Sequence, residues 1–182
     1  MKRLVLILVL LPVAGCAEFV AERQPTQEYP TVNVPRDLRQ SNWIGNRKQG
    51  SCVHATLVSL LRWQGRYSMA DWWRRTHGDG EVLYSVLRQL DSAGVRYAAT
   101  GSGDVRFLEW ACETRRGAGI SVRKGAHMVA LVHLDNEWAA ILDNKDVSRY
   151  RWIPRDELIA EWHRSQHWAI VPVYSPAAPL PW

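Results

Sequence analysis

The sequence lacks a block of like charge and any motif for a bound nucleotide or metal. Its 182 residues carry a formal charge of +5, but the basic residues are scattered and never form a run of five or more. This distribution argues against nucleic-acid binding. No phosphate-cradling glycine loop is present, because "GSGD" at 101–104 is more simply a turn and a helix cap. The sequence therefore predicts no nucleic-acid partner, no cofactor and no metal.

The N-terminus carries a short apolar run, "LVLILVLLPVAG", directly after the basic "MKR". The run is shorter than the roughly 20 apolar residues that a membrane span needs, and its basic start and small final residues are typical of a secretory signal. Its end, "VAGC", resembles the lipobox of bacterial lipoproteins. That resemblance implies a signal peptide at residues 1–15, a diacylated Cys16 and a protein anchored to a membrane of the bacterial cell envelope, facing the periplasm or the exterior.

The remaining chain divides into three parts. Residues 16–38 are polar, contain three prolines and show no helical or strand period, so we expect a tether. Residues 39–175 are long enough for one domain with a sizeable core. Residues 176–182 form a proline-rich tail.

Patterns within the domain predict helices first and a sheet second. Apolar residues recur at helical spacing over 53–64, and helices also fit "SMADWWRRTHG", with Ser68 as N-cap, "EVLYSVLRQLDSAG" and "DVRFLEWACETRRG", with Asp104 as N-cap. After the short strand "VRYAAT", the strand-like runs are "GISVRKG", "HMVALVHL", "EWAAILD" and "HWAIVPVY", interrupted by the helix "PRDELIAEWHR". This order predicts an α+β domain.

Cys52 stands immediately before the first of these helices. A thiol becomes a useful nucleophile at a helix N-terminus or beside an imidazolium, both of which favour the thiolate. Two other interpretations remain open: a buried structural cysteine, and a disulfide with Cys112, because export places the chain where disulfides persist. Cys112 lies among Phe107, Leu108 and Ala111 in an apolar helix, which indicates a core residue.

A nucleophilic Cys52 needs a histidine. His54 lies about 200° around the helix from Cys52 and points away from the sulfur. His163 and His167 have the spacing of a metal pair but straddle an element break without a nearby third ligand. His127 opens an apolar strand just after a glycine turn, where its side chain can project into a cleft, so His127 is the best candidate base.

A catalytic histidine also needs a carboxylate or amide to fix its orientation. If residues 127–133 and 137–143 form a hairpin, the end of the second strand returns beside His127. Both Asp143 and Asn144 fall there. Spacing favours Asp143, while a one-residue bulge would substitute Asn144.

Cysteine before a long helix, histidine opening a strand, and Asp or Asn closing the next strand resemble the papain-like cysteine peptidase superfamily. "WIPRDELIAEWHRSQHWAIVPV" is similar to its bacterial double-glycine-leader peptidase branch. The resemblance implies a papain-like α+β fold, with the nucleophile at a helix start in a helical first half and the other two residues on an antiparallel sheet. It also implies that Cys52 attacks an acyl carbon, His127 shuttles the proton and Asp143 or Asn144 orients it.

The family usually places a glutamine six residues before the cysteine to stabilise the oxyanion. Here that position is Asn46, while Gln49 lies three residues before Cys52. Either amide is a candidate donor, with the Cys52 backbone N–H as the second.

The resemblance implies a hydrolase that cleaves a peptide or isopeptide bond in a peptide or protein substrate. A transglutaminase-like acyl transferase shares the Cys, His, Asp order, but has a tryptophan where this chain has Ser51. A third possibility is an inactive envelope-binding module, in which some of the ten tryptophans grip a glycan or an envelope protein.

Overall fold

A computed structural model describes residues 29–175, which form a six-stranded sheet packed against helices. Its helices are α1 (Cys52–Trp63), α2 (Tyr67–Thr76), α3 (Leu83–Ser92), α4 (Val105–Glu113) and α5 (Arg155–Arg164), after a short 3-10 turn at Arg36–Leu38. Its strands are β1 (Tyr97–Thr100), β2 (Ala118–Val122), β3 (His127–Leu134), β4 (Trp138–Asp143), β5 (Asp146–Pro154) and β6 (Ala169–Pro172).

The strand order is β1-β6-β2-β3-β4-β5, and each neighbouring pair is antiparallel. The expected α+β class with an antiparallel sheet is confirmed, and so is the hairpin of β3 and β4. The predicted signal peptide, Cys16, the first part of the tether and the tail lie outside the described residues. Within residues 29–175, no helix has the length and apolar character that crossing a membrane requires.

Helices cover both faces of the sheet. In β3, Met128, Ala130 and Val132 pack in the clusters that include α1, whereas Val129 and Leu131 pack with α4 and α5. This alternation follows from the two-residue period of a strand. Because both faces are covered, β2, β3 and β4 are nearly continuous apolar runs rather than alternating ones.

A glycine in β2 allows α1 to lie close against the sheet. A Cβ atom at Gly119 would lie 2.1 Å from Met128 Cε and 3.1 Å from Thr56 Cγ2. The hydroxyl of Thr56 donates to the Met128 carbonyl at 3.2 Å. The missing side chain therefore brings the first turns of α1 within hydrogen-bonding distance of β3.

Strand β5 was not expected from the sequence. Within residues 29–175 it pairs only with β4, at the edge of the sheet, and most of its side chains are exposed or partly exposed. Tyr150 and Trp152 alternate with the exposed Arg149 and Arg151 and pack, partly buried, against the core, so this edge strand is amphipathic but supplies few apolar residues.

The two predicted helix caps had different outcomes. Asp104 caps α4 as expected, because its Oδ1 accepts the Arg106 N–H at 3.0 Å. The prediction of Ser68 as a cap was wrong. Helix α2 begins at Tyr67, so Ser68 lies inside the first turn, and Arg66 occupies the cap position without a side-chain cap bond.

The final residues of the segment expected as a tether contribute to the core. Val34 and Leu38 are buried in the cluster that contains Leu60 and Ala130. The Val34 N–H donates to the Tyr150 hydroxyl at 2.8 Å. These contacts attach residues 34–38 to α1 and to the sheet.

Both ring nitrogens of His54 are engaged by structural hydrogen bonds. The Trp73 indole N–H donates to Nδ1 at 3.1 Å, so Nε2 carries the proton and donates to the Asp79 carbonyl at 3.0 Å. Burial, followed by the nearby His77, lowers the pKa of His54 to about 4. His54 therefore links α1, α2 and the loop that contains Asp79 as a neutral residue.

The low pKa of His54 predicts acid sensitivity of the fold. Between pH 6.5 and 4 the unfolded chain binds a proton at residue 54 that the folded chain does not, so the free energy of unfolding falls as the pH falls. A difference between 6.5 and about 4 corresponds to roughly 3 kcal/mol at most. Denaturant unfolding of the protein and of His54→Gln at several pH values should show a steeper loss in the unsubstituted protein, because the remaining histidines with lowered pKa, such as His127, are common to both. Parallel pH dependences for the two proteins would contradict the role of His54.

Candidate active site

A cavity of about 540 Å³ lies where the start of α1 meets the start of β3. Cys52 and His127, which belong to different halves of the chain, both line it. Further lining residues come from the loop before α1, from the segment that leads into α3, from the β2–β3 turn and from the segment before β6, and they include Gln49, Gly50, Glu81, Val82, Leu83, Gly125, Ala126, Gln166 and Trp168. Three of the predicted site residues, Cys52, His127 and Gln49, therefore face one cleft.

The loop before α1 is folded tightly onto itself. Ile44 pairs with Gly50, and the Gly45 N–H donates to the Gln49 carbonyl at 2.9 Å. The buried Ser51 holds the end of this loop, since its N–H and hydroxyl both lie within 2.8 Å of the Asn42 Oδ1 atom that accepts from them. Cys52 then begins the helix, partly exposed and free of a disulfide.

The histidine and the carboxylate meet as the β3–β4 hairpin predicts. His127 is the first residue of β3 and Asp143 is the last residue of β4. His127 Nε2 lies 2.8 Å from Asp143 Oδ1, which also accepts the Lys145 N–H at 3.0 Å. Because Nε2 donates to the carboxylate, Nδ1 is the ring nitrogen that can take a proton.

The electrostatics of the pair suit a neutral histidine and an ionised aspartate. Burial lowers the pKa of His127 below its ordinary value; Asp143 opposes this effect, while Lys145 and Arg123 add to it. Burial alone would raise the pKa of Asp143, but hydrogen bonds from the Lys145 N–H and from His127 outweigh it and lower that pKa. At neutral pH, His127 is therefore a base without a proton on Nδ1.

Asn144 does not contact the His127 ring in place of Asp143. Its side chain is buried and turns toward α1, where Nδ2 lies 3.1 Å from the Cys52 carbonyl oxygen and 2.8 Å from that of Met128. The two candidates for the third position are thus separated by geometry. Asp143 bonds the imidazole, and Asn144 bonds the backbone beside the thiol and the imidazole.

The two candidate oxyanion donors also lie in different places. Gln49 lines the cavity, whereas Asn46 is an exposed residue in the turn of the preceding loop and does not line it. A Cβ atom at Gly80 would lie 3.6 Å from Gln49 Oε1, so the Gln49 amide lies beside the opposite wall. Of the two candidates, Gln49 is therefore the one whose residue lines the cleft.

The opposite wall of the cleft, at residues 80–83, was not expected from the sequence. It is attached to α1 by the His54 bond to Asp79, and the Asp79 carboxylate accepts the Arg47 N–H at 2.8 Å. Burial would raise the pKa of Glu81, but hydrogen bonds from Ser85 and Gln89 outweigh it and lower that pKa. The sequence pattern places Glu81 and Val82 inside the helix that follows, whereas α3 begins only at Leu83, and helical spacing does not indicate that these residues face the cleft.

Trp168 and Asn42 are further lining residues that the sequence did not indicate. Trp168 is 7% exposed, and its indole N–H has no hydrogen-bond partner among residues 29–175. Asn42 connects the cleft to the hairpin, because its N–H donates to the Asn144 carbonyl at 2.7 Å. Each residue has a hydrogen-bond partner on a distant segment, Asn144 for Asn42 and Ser121 for the Trp168 carbonyl, which the sequence does not reveal.

The remaining cysteine and histidine candidates lie away from the cleft. Cys112 is a free thiol that packs against the core in α4, where burial raises its pKa, so the alternative of a Cys52–Cys112 disulfide is wrong. His133 bonds Asp135 at 2.8 Å near the far end of β3. His163 Nε2 lies 3.1 Å from the Gly103 carbonyl, to which it can donate. Neither His163 nor His167 lines the cavity.

Comparison with known proteins found no relative of this chain. No family model, no curated protein and no solved structure matches the chain.

Proposed function

We propose that the protein is an exported, lipid-anchored thiol hydrolase that cleaves a peptide or isopeptide bond through Cys52, His127 and Asp143. The observation that carries this proposal is the 2.8 Å bond between His127 Nε2 and Asp143 Oδ1 at the edge of a cavity that Cys52 also lines. The bond orients the imidazole and leaves Nδ1 as the proton acceptor, which is what a cysteine nucleophile needs.

The reaction would proceed through an acyl-enzyme. The proton of Cys52 Sγ passes to His127 Nδ1 while the sulfur attacks the substrate carbonyl carbon. The resulting tetrahedral intermediate collapses as His127 returns the proton to the leaving amine, and the acyl group remains on sulfur as a thioester. Water, deprotonated by His127, then attacks the thioester and releases the carboxylic acid and the free thiol.

Two donors are available for the negative oxygen of the tetrahedral intermediate. The N–H of Cys52 belongs to the first helical residue, and such groups have no acceptor within their own helix. The Gln49 side-chain amide lines the same cavity. In a partly enclosed cleft, such fixed donors stabilise developing charge more strongly than water does.

The lipid anchor is the part of the proposal that rests on sequence alone. The "VAGC" segment supports diacylation of Cys16, and the polar segment after it would join the lipid to the domain. An envelope location would then restrict the substrate to peptides or proteins that reach that membrane surface.

Alkylation of Cys52 tests whether the thiol is activated. Chloroacetamide at neutral pH should label Cys52 much faster than Cys112, which is the internal control because burial raises its pKa. His127→Ala should slow the labelling of Cys52 by at least about 10²-fold, because the thiol loses its proton acceptor. Asp143→Asn should give a smaller loss, because the ring keeps a partner but not a negative charge. Peptide mapping by mass spectrometry measures each site separately.

Equal labelling of Cys52 in the unsubstituted protein and in His127→Ala would contradict the proposed hydrolase. It would instead favour an inactive binding module.

Hydrolysis of nitrophenyl acetate tests the oxyanion donor. Gln49→Ala should lower kcat/KM by about 10²-fold, the usual effect of removing one such donor. Asn46→Ala is the matched control, because Asn46 does not line the cavity, and it should leave kcat/KM unchanged. A loss confined to Asn46→Ala would reverse the assignment.

A further inference from the structure

The side-chain amide of Asn144 contacts three separate acceptors. Its Nδ2 atom lies 2.8 Å from the Met128 carbonyl oxygen, 3.1 Å from the Cys52 carbonyl oxygen and 3.1 Å from Thr56 Oγ1. The residue is 3% exposed. The amide is therefore committed to contacts within the protein, between the end of β4, the start of β3 and the first turn of α1.

Two of these acceptors belong to the reacting parts of the cleft. The Cys52 carbonyl is on the nucleophile itself, and Met128 directly follows His127. An amide group that donates to both carbonyls sets the backbone of the thiol and the backbone of the base at a fixed separation. No other side chain among residues 29–175 donates to both carbonyls.

The backbone of Asn144 extends the same connection to the residue before Cys52. Its carbonyl accepts the Asn42 N–H at 2.7 Å, and Asn42 Oδ1 accepts the Ser51 N–H at 2.6 Å. The peptide link from Ser51 to Cys52 is thus held from both sides. This peptide contains the Cys52 N–H that we propose as a hydrogen-bond donor to the oxyanion.

The position requires a donor rather than a generic polar group. Asn144 Oδ1 is buried and has no partner among the described residues, while Nδ2 has three. An unpaired buried oxygen costs free energy of folding. The fold carries this cost at Oδ1 while Nδ2 donates to the backbone carbonyls, so the donor is the part of the amide that the position uses. A carboxylate of the same shape would instead place negative charge against two carbonyl oxygens.

We infer that Asn144 is a positioning residue that holds Cys52 at the reactive distance from His127, an inference that rests on the proposed function. The adjacent residues then have separate tasks: Asp143 orients the base and Asn144 orients the nucleophile. The fold assigns the two tasks to different side chains, because the Asp143 carboxylate accepts from the imidazole while the Asn144 amide donates to the two backbone carbonyls.

The test is the rate of Cys52 alkylation between pH 5 and 9, measured with thermal unfolding and circular dichroism. Asn144→Ala should fold and should label on the order of 10²-fold more slowly, which is the usual effect of a 1 Å misplacement of a reacting group. Asn144→Asp should be equally slow at high pH, and its rate relative to the unsubstituted protein should rise as the pH falls, because a protonated carboxyl can donate again.

Ser59→Ala is the matched control for loss of stability. Ser59 is buried in α1 and accepts the Gln40 N–H at 2.9 Å, away from the cleft. It should lower the unfolding temperature and leave the labelling rate unchanged. An unchanged rate in Asn144→Ala, or rates that follow the unfolding temperature across all three variants, would overturn the positioning role. A rate in the unsubstituted protein no faster than in His127→Ala would instead overturn the proposed function.

Discussion

The packing of the first turn of α1 against the start of β3 determines the rest of the site. A thiol at the start of a helix and an imidazole at the start of a strand can cooperate only if the two elements approach closely. Gly119 allows this approach, because any side chain there would occupy the space of Met128 and Thr56. The hydrogen bonds of Thr56 and Asn144 to the Met128 carbonyl then fix the helix on the strand.

Two buried histidines near this contact, His54 and His127, have different roles because their ring nitrogens have different hydrogen-bond partners. Burial lowers the pKa of both His54 and His127. His54 uses both ring nitrogens, one with Trp73 and one with the Asp79 carbonyl, so it holds the cleft wall and cannot accept a proton without breaking a bond. His127 uses only Nε2, with Asp143, and keeps Nδ1 for chemistry. The number of ring nitrogens engaged in hydrogen bonds therefore distinguishes the structural histidine from the candidate base.

The sequence could predict those parts of the site that depend on short-range pattern. The helix after Cys52 follows from apolar spacing, and the meeting of His127 with Asp143 follows from the hairpin register. The choices between Asp143 and Asn144 and between Asn46 and Gln49 could not be settled in this way, because each depends on which distant segment the side chain faces. The polar–apolar alternation in β5 is short, and residues 81–83 share the helical pattern of α3, so only the folded chain identifies the edge strand and the cleft wall.

The central claim is that Cys52 and His127 form one reactive pair, and a reagent that bridges them tests it most directly. Dibromoacetone carries two alkylating carbons on either side of one carbonyl group. After reaction of the full-length protein, the account predicts a covalent bridge between the Cys52 and His127 peptides, absent from His127→Ala. A bridge from Cys52 to another residue, or single alkylation of Cys52 without a bridge, would contradict it.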